Sequence, residues 1–438
     1  MKSILLLLVL IACSSAAFAQ RGGDPRLRYG ELLYAEAACF PSDSTGFARI
    51  DVFVRVTYDF MIFTRSASMH PDSLYTGGVE VSCSIRKDGT SLRSSNSFER
   101  VAVADYDDTN MRDRYVLIRQ TFYLPPGTYE AAVFVSDMGS TRRNTIVHEV
   151  KAALFNASSR HIGQPIPLTR ETGRRDAQFG VLGYGRTFPF SQPTIIGIPV
   201  PRDFTAHWYV RLQRSEETPG TALFDDLVQP IAQLNGLSPS SPAGRVPDFA
   251  LEVHPDAIGD MVVLSPPFEG YDVGPYLLTV TAVWDAGRDS ITIPVRILWR
   301  DMPFSLRDLD FAIDAMRFIL TDEQYKRMKS GSEQERKRAF RAYWKEKDIT
   351  PETKHNEMMA EYFRRVDEAY YEFQTLYIRN GVQTDRGKVY VLFGPPEDTQ
   401  RILNRDEPIT EIWYYPSLGK TFQFVDRGRD GNLKLMED

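Results

Sequence analysis

The sequence predicts a multidomain chain: two all-β, Ig-like sandwich domains followed by an α+β domain with helices packed on a small antiparallel sheet. Three observations carry this. Apolar and polar residues alternate at period two over much of the first 300 positions, with Gly, Pro and Asp clusters between the runs. After Trp299 the apolar spacing changes to three and four. A chain of 438 residues also exceeds what one core serves, given ~100–200 residues per domain.

Met1-Lys2-Ser3, the apolar run 4–12 and the small-residue segment ending Ala17-Phe18-Ala19 read as a secretory signal peptide over residues 1–19. Its apolar stretch is shorter than the ~20 residues a bilayer crossing needs, and no later segment matches one, so no transmembrane span is expected in the mature chain. Leu10-Ile11-Ala12-Cys13 resembles a bacterial lipobox and gives a competing reading, a lipid anchor at Cys13. The short stretch before Cys13 favours cleavage after Ala19. An exported protein is expected: periplasmic, outer-membrane associated or secreted.

The first sandwich is placed at residues 24–155. Ile50, Val52, Val54, Val56 and Tyr58 alternate with Asp51, Arg55, Thr57 and Asp59, which predicts one apolar and one solvated face. Further runs lie at 78–86, 115–124, 128–137 and 144–151, with turns at Lys87-Asp88-Gly89 and Pro125-Pro126-Gly127. Leu33, Ala35, Ala37 and Cys39 share one register, and Val79, Val81, Cys83 and Ile85 another, so both thiols point inward. A disulfide between Cys39 and Cys83 and two separate buried thiols both fit, because a sequence carries no distance.

Residues 156–202 lose the alternation and are dense in Gly, Pro and Arg, including Arg174-Arg175 and the Pro-spaced run 189–201. They read as an irregular linker with room for one pairing segment. Strand patterns resume at 207–212, 249–253, 261–264, 276–284 and 290–299, predicting a second sandwich at 203–300. Asp285-Ala286-Gly287-Arg288-Asp289 turns a hairpin whose second strand, with Pro294, belongs at a sheet edge. Gly127-Thr128-Tyr129 is echoed by Gly274-Pro275-Tyr276, each a glycine leading into a strand with inward aromatic and aliphatic residues.

Residues 303–438 form the α+β domain. A first helix covers 308–320. Thr321 with Gln324 makes a capping box for a second that stops at Gly331, and Ser332 with Glu335 opens a third to about Lys347. Thr350 caps a fourth with Pro351 at its first position. Met359, Tyr362, Val366, Ala369, Phe373 and Leu376 stripe that long helix, and Gly381 ends it. Strands are predicted at 388–393, 411–415 and 421–426.

The junction Gly381-Val382-Gln383-Thr384-Asp385-Arg386-Gly387, followed by Gly394-Pro395-Pro396 and Glu411-Ile412-Trp413-Tyr414-Tyr415, resembles the GWxTD domain, an envelope-associated family of bacteria. Trp344, Asp348-Ile349-Thr350-Pro351 and Glu361-Tyr362-Phe363-Arg364-Arg365-Val366 fit the same pattern, over roughly 304–438. Val382 stands where the motif has Trp, so an aromatic contact there is absent or supplied by another ring. The resemblance implies no activity, ligand, cofactor or catalytic residue.

Function classes are narrowed mostly by exclusion. A net charge of -6 gives no electrostatic footprint for nucleic acid. His70, His148, His161, His207, His254 and His355 have no metal-ligand spacing. Asp105, Asp107, Asp108 and Asn110, like Asp426, Asp430 and Asn432, read as solvated acidic turns because neither set completes a calcium loop. Ser417-x-x-Lys420 falls in a hairpin, and no nucleophile elbow or P-loop occurs. Tyr414, Tyr415, Phe422 and Phe424 read first as sheet packing and second as a carbohydrate or peptide platform. The basic run Arg336-Lys337-Arg338 is interrupted by acids and reads as a solvated helix face.

Thr384, Asp385 and Arg386, with Glu361 and Arg364 across the junction, are the remaining constellation. One reading makes them a charged pocket for acid–base work. The preferred one makes them a scaffold, Thr384 and Asp385 accepting turn N–H groups and Arg386 pairing with Glu361. The expected function is therefore a non-catalytic exported module binding envelope proteins or glycans. An envelope polysaccharide or peptide hydrolase using Asp385 and Glu361, and a glycan-binding protein, are the alternatives.

Overall fold

A computed structural model describes residues 32–436 apart from 43, 67–73, 112–113, 156–160, 171–178, 216–221, 236, 240–250, 254–258 and 405–406. The proposed signal peptide, Cys13, Arg174-Arg175, His70 and His254 lie outside the described residues.

Eight strands build the first unit: β1 (Leu33–Phe40), β2 (Ala48–Thr57), β3 (Thr64–Arg65), β4 (Tyr75–Lys87), β5 (Thr90–Val103), β6 (Tyr115–Leu124), β7 (Gly127–Asp137) and β8 (Arg143–Ala152). One sheet runs β1-β2-β6. In the other, β4 pairs β5 along one edge and β7 and β3 along the other, and β7 pairs β8. All neighbours are antiparallel, and the core between the sheets contains the inward sets 33-35-37-39 and 79-81-83-85. Cys39 and Cys83 are both buried and free. Burial pushes each thiol up to about 12.

The second unit comprises β9 (Ile166–Arg170), β10 (Phe179–Val181), β11 (Thr187–Pro189), β12 (Ile195–Pro201), β13 (His207–Arg214), β14 (Phe224–Leu227), β15 (Pro230–Asn235), β16 (Leu237–Pro239), β17 (Leu251–Val253), β18 (Gly259–Leu264), β19 (Gly274–Trp284) and β20 (Gly287–Leu298). Its sheets run β10-β9-β12-β18-β15 and β11-β20-β19-β13-β14, with β16 and β17 as a separate pair. Residues 156–202 are thus not a bare linker, for they contribute β9 to β12. The prolines misled. Pro199 accepts from Gly163 N–H at 2.7 Å, so its backbone edge faces residue 163 and its missing N–H removes nothing from the ladder with β18. Pro294 precedes the three β20 residues that β11 covers, so there β20 has a ladder neighbour on one side only.

The glycine echo has a physical basis. Tyr129 donates its hydroxyl to Pro125 O at 2.9 Å, and Tyr276 donates to Asp272 O at 2.7 Å, each four residues upstream. Gly127 and Gly274 share a φ of 156°. These are tyrosine corners, the device that fixes the chain reversal into an inner strand of an Ig-like sandwich.

The two sandwiches share a further core. Ala38, Phe40, Phe53 and Leu117 on the outer face of β1-β2-β6 pack against Ile166, Leu168, Ile195, Met261 and Val263 on the outer face of β9-β12-β18. This corrects the expectation of a solvated face: Asp51, Arg55 and Thr57 are buried, at 0%, 6% and 7% exposure. The alternation was real, but its polar side meets protein rather than water. Asp51 accepts from Arg49 Nε at 3.0 Å and Thr121 Oγ1 at 2.7 Å. Arg55 donates to Leu182 O at 3.0 Å and lies over the rings of Tyr115 and Tyr184 at 3.7 and 4.2 Å.

The third unit holds α1 (Leu309–Ala315), α2 (Asp322–Lys329), α3 (Glu333–Glu346), α4 (Glu357–Glu372), α5 (Asp385–Phe393) and an antiparallel sheet in the order β21 (Asp398–Ile402), β22 (Ile409–Tyr415), β23 (Lys420–Asp426), β24 (Lys434–Leu435). Both capping boxes are present, at Thr321/Gln324 and Ser332/Glu335. Two expectations fail. The long helix begins after Asn356, whose Oδ1 accepts from Met359 N–H at 2.8 Å, and it ends at Glu372, leaving Leu376 79% exposed in a turn organised by Thr375. Residues 388–393 are not a strand but most of α5. Their continuous apolar run suits a helix buried on several sides as well as a strand, and Val389 and Val391 sit in the core with Tyr390 and Phe393 against it.

Contacts join this unit to the second. Phe190 stacks on Trp299 with ring centroids 5.7 Å apart, and His355 meets Trp299 edge-on at 5.0 Å. Arg300 covers Tyr184 at 4.1 Å, the same ring that Arg55 covers at 4.2 Å.

Glu36 gives the buried interface a pH signature. It lies on the outer face of β1 at 2% exposure, and burial raises its carboxyl to about 8, against a smaller opposing pull from Arg186. A raised folded pKa means the folded chain keeps a proton that the unfolded chain releases. Stability is therefore fullest below about pH 4.5 and falls as pH rises to about 8. Glu36→Gln is expected to raise stability relative to wild type at pH 8 by on the order of 2–4 kcal/mol, with the gap closing toward pH 4, as read by denaturant melts across that range.

Candidate functional site at the helix junction

The site grows from the turn before α5. Asn380 Oδ1 accepts from Val382 N–H at 3.1 Å and starts a single 3-10 turn over Gly381–Gln383. Thr384 follows as the N-cap of α5. Its Oγ1 accepts from Gly387 N–H at 3.0 Å and donates to Gly381 O at 2.7 Å, so one buried hydroxyl ties the turn to the helix.

The two motif glycines are required by proximity. A Cβ on Gly381 would lie 2.1 Å from Ala369 O, and one on Gly387 would lie 2.0 Å from Gly381 O. The 3-10 turn therefore rests on the last turn of α4, and the first turn of α5 rests on the 3-10 turn, backbone against backbone in both cases. Gly381 is the contact point of the two helices and not the end of α4.

Charged side chains then fasten α5 to the sheet. Asp385, in the first turn of α5 where the helix dipole favours a carboxylate, accepts from Leu435 N–H at 3.0 Å and has Lys434 Nζ at 4.0 Å. Arg386 pairs with Glu411 at 3.3 Å and lies 5.3 Å from the centre of the Phe373 ring. Glu411 also accepts from Trp413 Nε1 at 2.7 Å. Trp413 is buried against Phe373, Tyr390 and Phe424 at centroid distances of 5.4, 6.4 and 4.9 Å. Val382 is buried in the same cluster, so aromatic packing there comes from other positions than the motif's second residue.

Glu361 and Arg364 belong elsewhere. Glu361 accepts from Arg364 at 2.8 and 2.9 Å and from Arg365 at 2.7 Å, and these bonds hold its carboxyl below the usual range, Arg364 first. Arg364 also meets Glu368, which accepts from Tyr390 Oη at 2.6 Å. The Arg365 guanidinium carbon lies 3.2 Å from where a Gly394 Cβ would stand, which puts this network beside the end of α5. The expected Arg386–Glu361 pair is therefore absent: helices α4 and α5 run in opposite directions and place Glu361 at the far end. At 1.5 Å per residue, the length of α5 separates Glu361 from Asp385 by about 13 Å. Two carboxylates so placed cannot converge on one reacting bond.

Asp367 was not foreseen. It accepts from Phe304 and Ser305 N–H at 2.6 and 3.1 Å, binding the chain that enters this unit to the middle of α4, and burial raises its carboxyl to about 6. It sits between apolar positions on α4, where no local pattern sets it apart from a surface acid.

Other expected groups take structural places. Tyr415 and Phe424 are core residues, with Tyr415 Oη donating to Gly394 O at 2.9 Å. Asp426 accepts from Asp430 and Gly431 N–H at 3.2 and 2.9 Å, closing its own turn. Among the described residues, no three His, Cys, Asp or Glu side chains gather as a metal site. A cavity of about 330 Å³ where the two sandwiches meet is lined by Cys39, Phe155, His161, Gln164 and Asp289 among others. His161 Nδ1 lies 3.4 Å from Asp289 Oδ2, but the Cys39 thiol is neutral and hydrogen-bonded with the Ala153 backbone, so this set holds no ready nucleophile.

Residues 292–430 match the family model of the GWxTD domain, a stretch that contains the turn, α5 and the Arg386–Glu411 pair but stops short of Lys434 and Leu435. No curated protein matches the chain.

The geometry ranks the motif residues by consequence. Gly381→Ala forces Cβ into a main-chain oxygen and is expected to destabilise by about 3 kcal/mol or more, whereas Asp385→Ala removes one main-chain hydrogen bond at a part-exposed site and is expected to cost about 1 kcal/mol. Chemical denaturation of both variants checks the order; an Asp385→Ala loss equal to that of Gly381→Ala would contradict it.

Proposed function

We propose that this chain, which carries a GWxTD domain, is an exported cell-envelope protein and a non-catalytic binding or scaffold module. The sandwiches present surfaces to envelope proteins or glycans, and the C-terminal domain docks the assembly. One observation carries this reading: Thr384 ties the turn to α5, Asp385 and Arg386 tie α5 to the sheet, and the two carboxylates considered for hydrolysis stand at opposite ends of α5. The leader-like residues 1–19 support export. No described helix is long and apolar enough to cross a membrane.

Capture from envelope extracts on the immobilised chain, read by mass spectrometry and glycan analysis, should recover the same components with wild type and with Glu361→Gln/Asp385→Asn. Incubation with isolated cell-wall polysaccharide and envelope peptides should release no product. Product release by wild type that this double variant loses would overturn the proposal in favour of hydrolysis.

A further inference from the structure

The first sandwich is closed along one side and more open along the other, where Gln120 Nε2 on β6 still reaches Ser97 Oγ on β5 at 3.0 Å. On the closed side Ala153, just past β8, donates its N–H to Cys39 Sγ on β1 at 3.4 Å. On the open side β5 pairs only with β4, and β6 only with β2, so the outer edge of each has no ladder partner among the described residues. A cavity of about 590 Å³ lies between them, lined by Phe47, Arg93, Ser95, Thr121 and Tyr123 among others.

An unpaired strand edge is a template for another strand, and proteins usually guard it with charges. On β5 the guards on the sandwich side are Arg93 and Glu99, with Arg100 on the opposite, exposed face. Arg93 donates to the neighbouring Leu92 carbonyl at 3.1 Å, and neither side chain has an ion-pair partner within the described residues. Both face the sandwich side of β5, because Arg93 pairs Ile85 and Glu99 pairs Val79, two inward residues of β4. From Arg93 to Glu99 the strand is free of the bulge that falls at Leu92.

The order of these charges is self-complementary. We infer that the free edge of β5 pairs antiparallel with β5 of a second copy of this chain, centred on Asn96 opposite the partner's Asn96. In that register Arg93 stands opposite the partner's Glu99, and Glu99 opposite the partner's Arg93. Directly opposed residues share a face with Cβ atoms ~5 Å apart, close enough for two symmetric ion pairs. The seven-residue ladder supplies about six to eight main-chain hydrogen bonds. The cavity beside Arg93 leaves room for the inward side chains of the incoming strand. A two-fold contact of this kind closes on itself and stops at a dimer. The same charges would repel in a register shifted so that Arg93 faced Arg93, which makes them a selector of register as well as a guard.

Light scattering on the chain across a concentration series tests this. Wild type should have twice the single-chain mass. Arg93→Glu alone and Glu99→Arg alone should each weaken the dimer tenfold or more while leaving the melting temperature of the monomer in place. Mixing those two variants should restore a dimer, since one then offers only acids and the other only bases, and so should Arg93→Glu/Glu99→Arg in one chain. A wild type that stays monomeric at every concentration overturns the proposal, as do single variants that dimerise like wild type or mixtures that fail to recover.

Discussion

The contact between the outer faces of β1-β2-β6 and β9-β12-β18 governs the rest of the structure. Each of those sheets already has an inner face in its own sandwich, so the shared core leaves β1, β2, β12 and β18 buried along nearly every residue. Such burial stabilises at roughly 25 cal/mol per Å² of apolar surface, and it also obliges any polar group on those faces to find a partner. Asp51 and Arg55 find partners for Oδ1 and for the terminal guanidinium nitrogens, though Asp51 Oδ2 and Arg55 Nε have none among the described residues. Glu36 lacks a cation strong enough to offset its burial, which raises its carboxyl to about 8 against the smaller pull of Arg186.

That constraint extends toward the C-terminal unit through Tyr184, beside the contacts of Trp299 with Phe190 and His355. Tyr184 contacts Arg55 of the first sandwich and Arg300 at the entrance to the third unit, and it meets Tyr34 edge-on at 5.0 Å. Each cation–π contact contributes about 0.5–2 kcal/mol depending on desolvation. Beyond this ring, Asp367 fixes the entering chain to α4, and α4 carries α5 through the glycine contact. The GWxTD motif thus works as a packing device: small residues permit the approach, Thr384 caps, and Asp385 and Arg386 bind the sheet.

Much of the fold was legible because its signals are local. Inward registers at 33–39 and 79–85, the capping boxes at Thr321 and Ser332, and the tyrosine echo at 129 and 276 each depend on residues a few positions apart. What was missed depends on long-range context. Whether Asp51 and Arg55 meet water is decided by a second domain more than a hundred residues away. Pro199 is harmless only because residue 163 lies on its side of β12. The Ser-rich β5 lacked apolar alternation since one of its faces overhangs the sandwich. For α5, Thr384 before and Gly394 after the apolar run were available start and stop signals, but Val389 to Phe393 fits a buried strand equally well until its neighbours are known. At the site, the motif lies within the stretch that matches the GWxTD family model, while Arg386 pairs with Glu411 and not with the expected Glu361, because the true length of α4 was not legible.

The account makes the two sandwiches a single cooperative body. Scanning calorimetry of the chain measures this most directly: one transition covering both sandwiches, with calorimetric and van't Hoff enthalpies in agreement for that body, is the result the shared core requires. Two well-separated transitions, one for each sandwich, would contradict it.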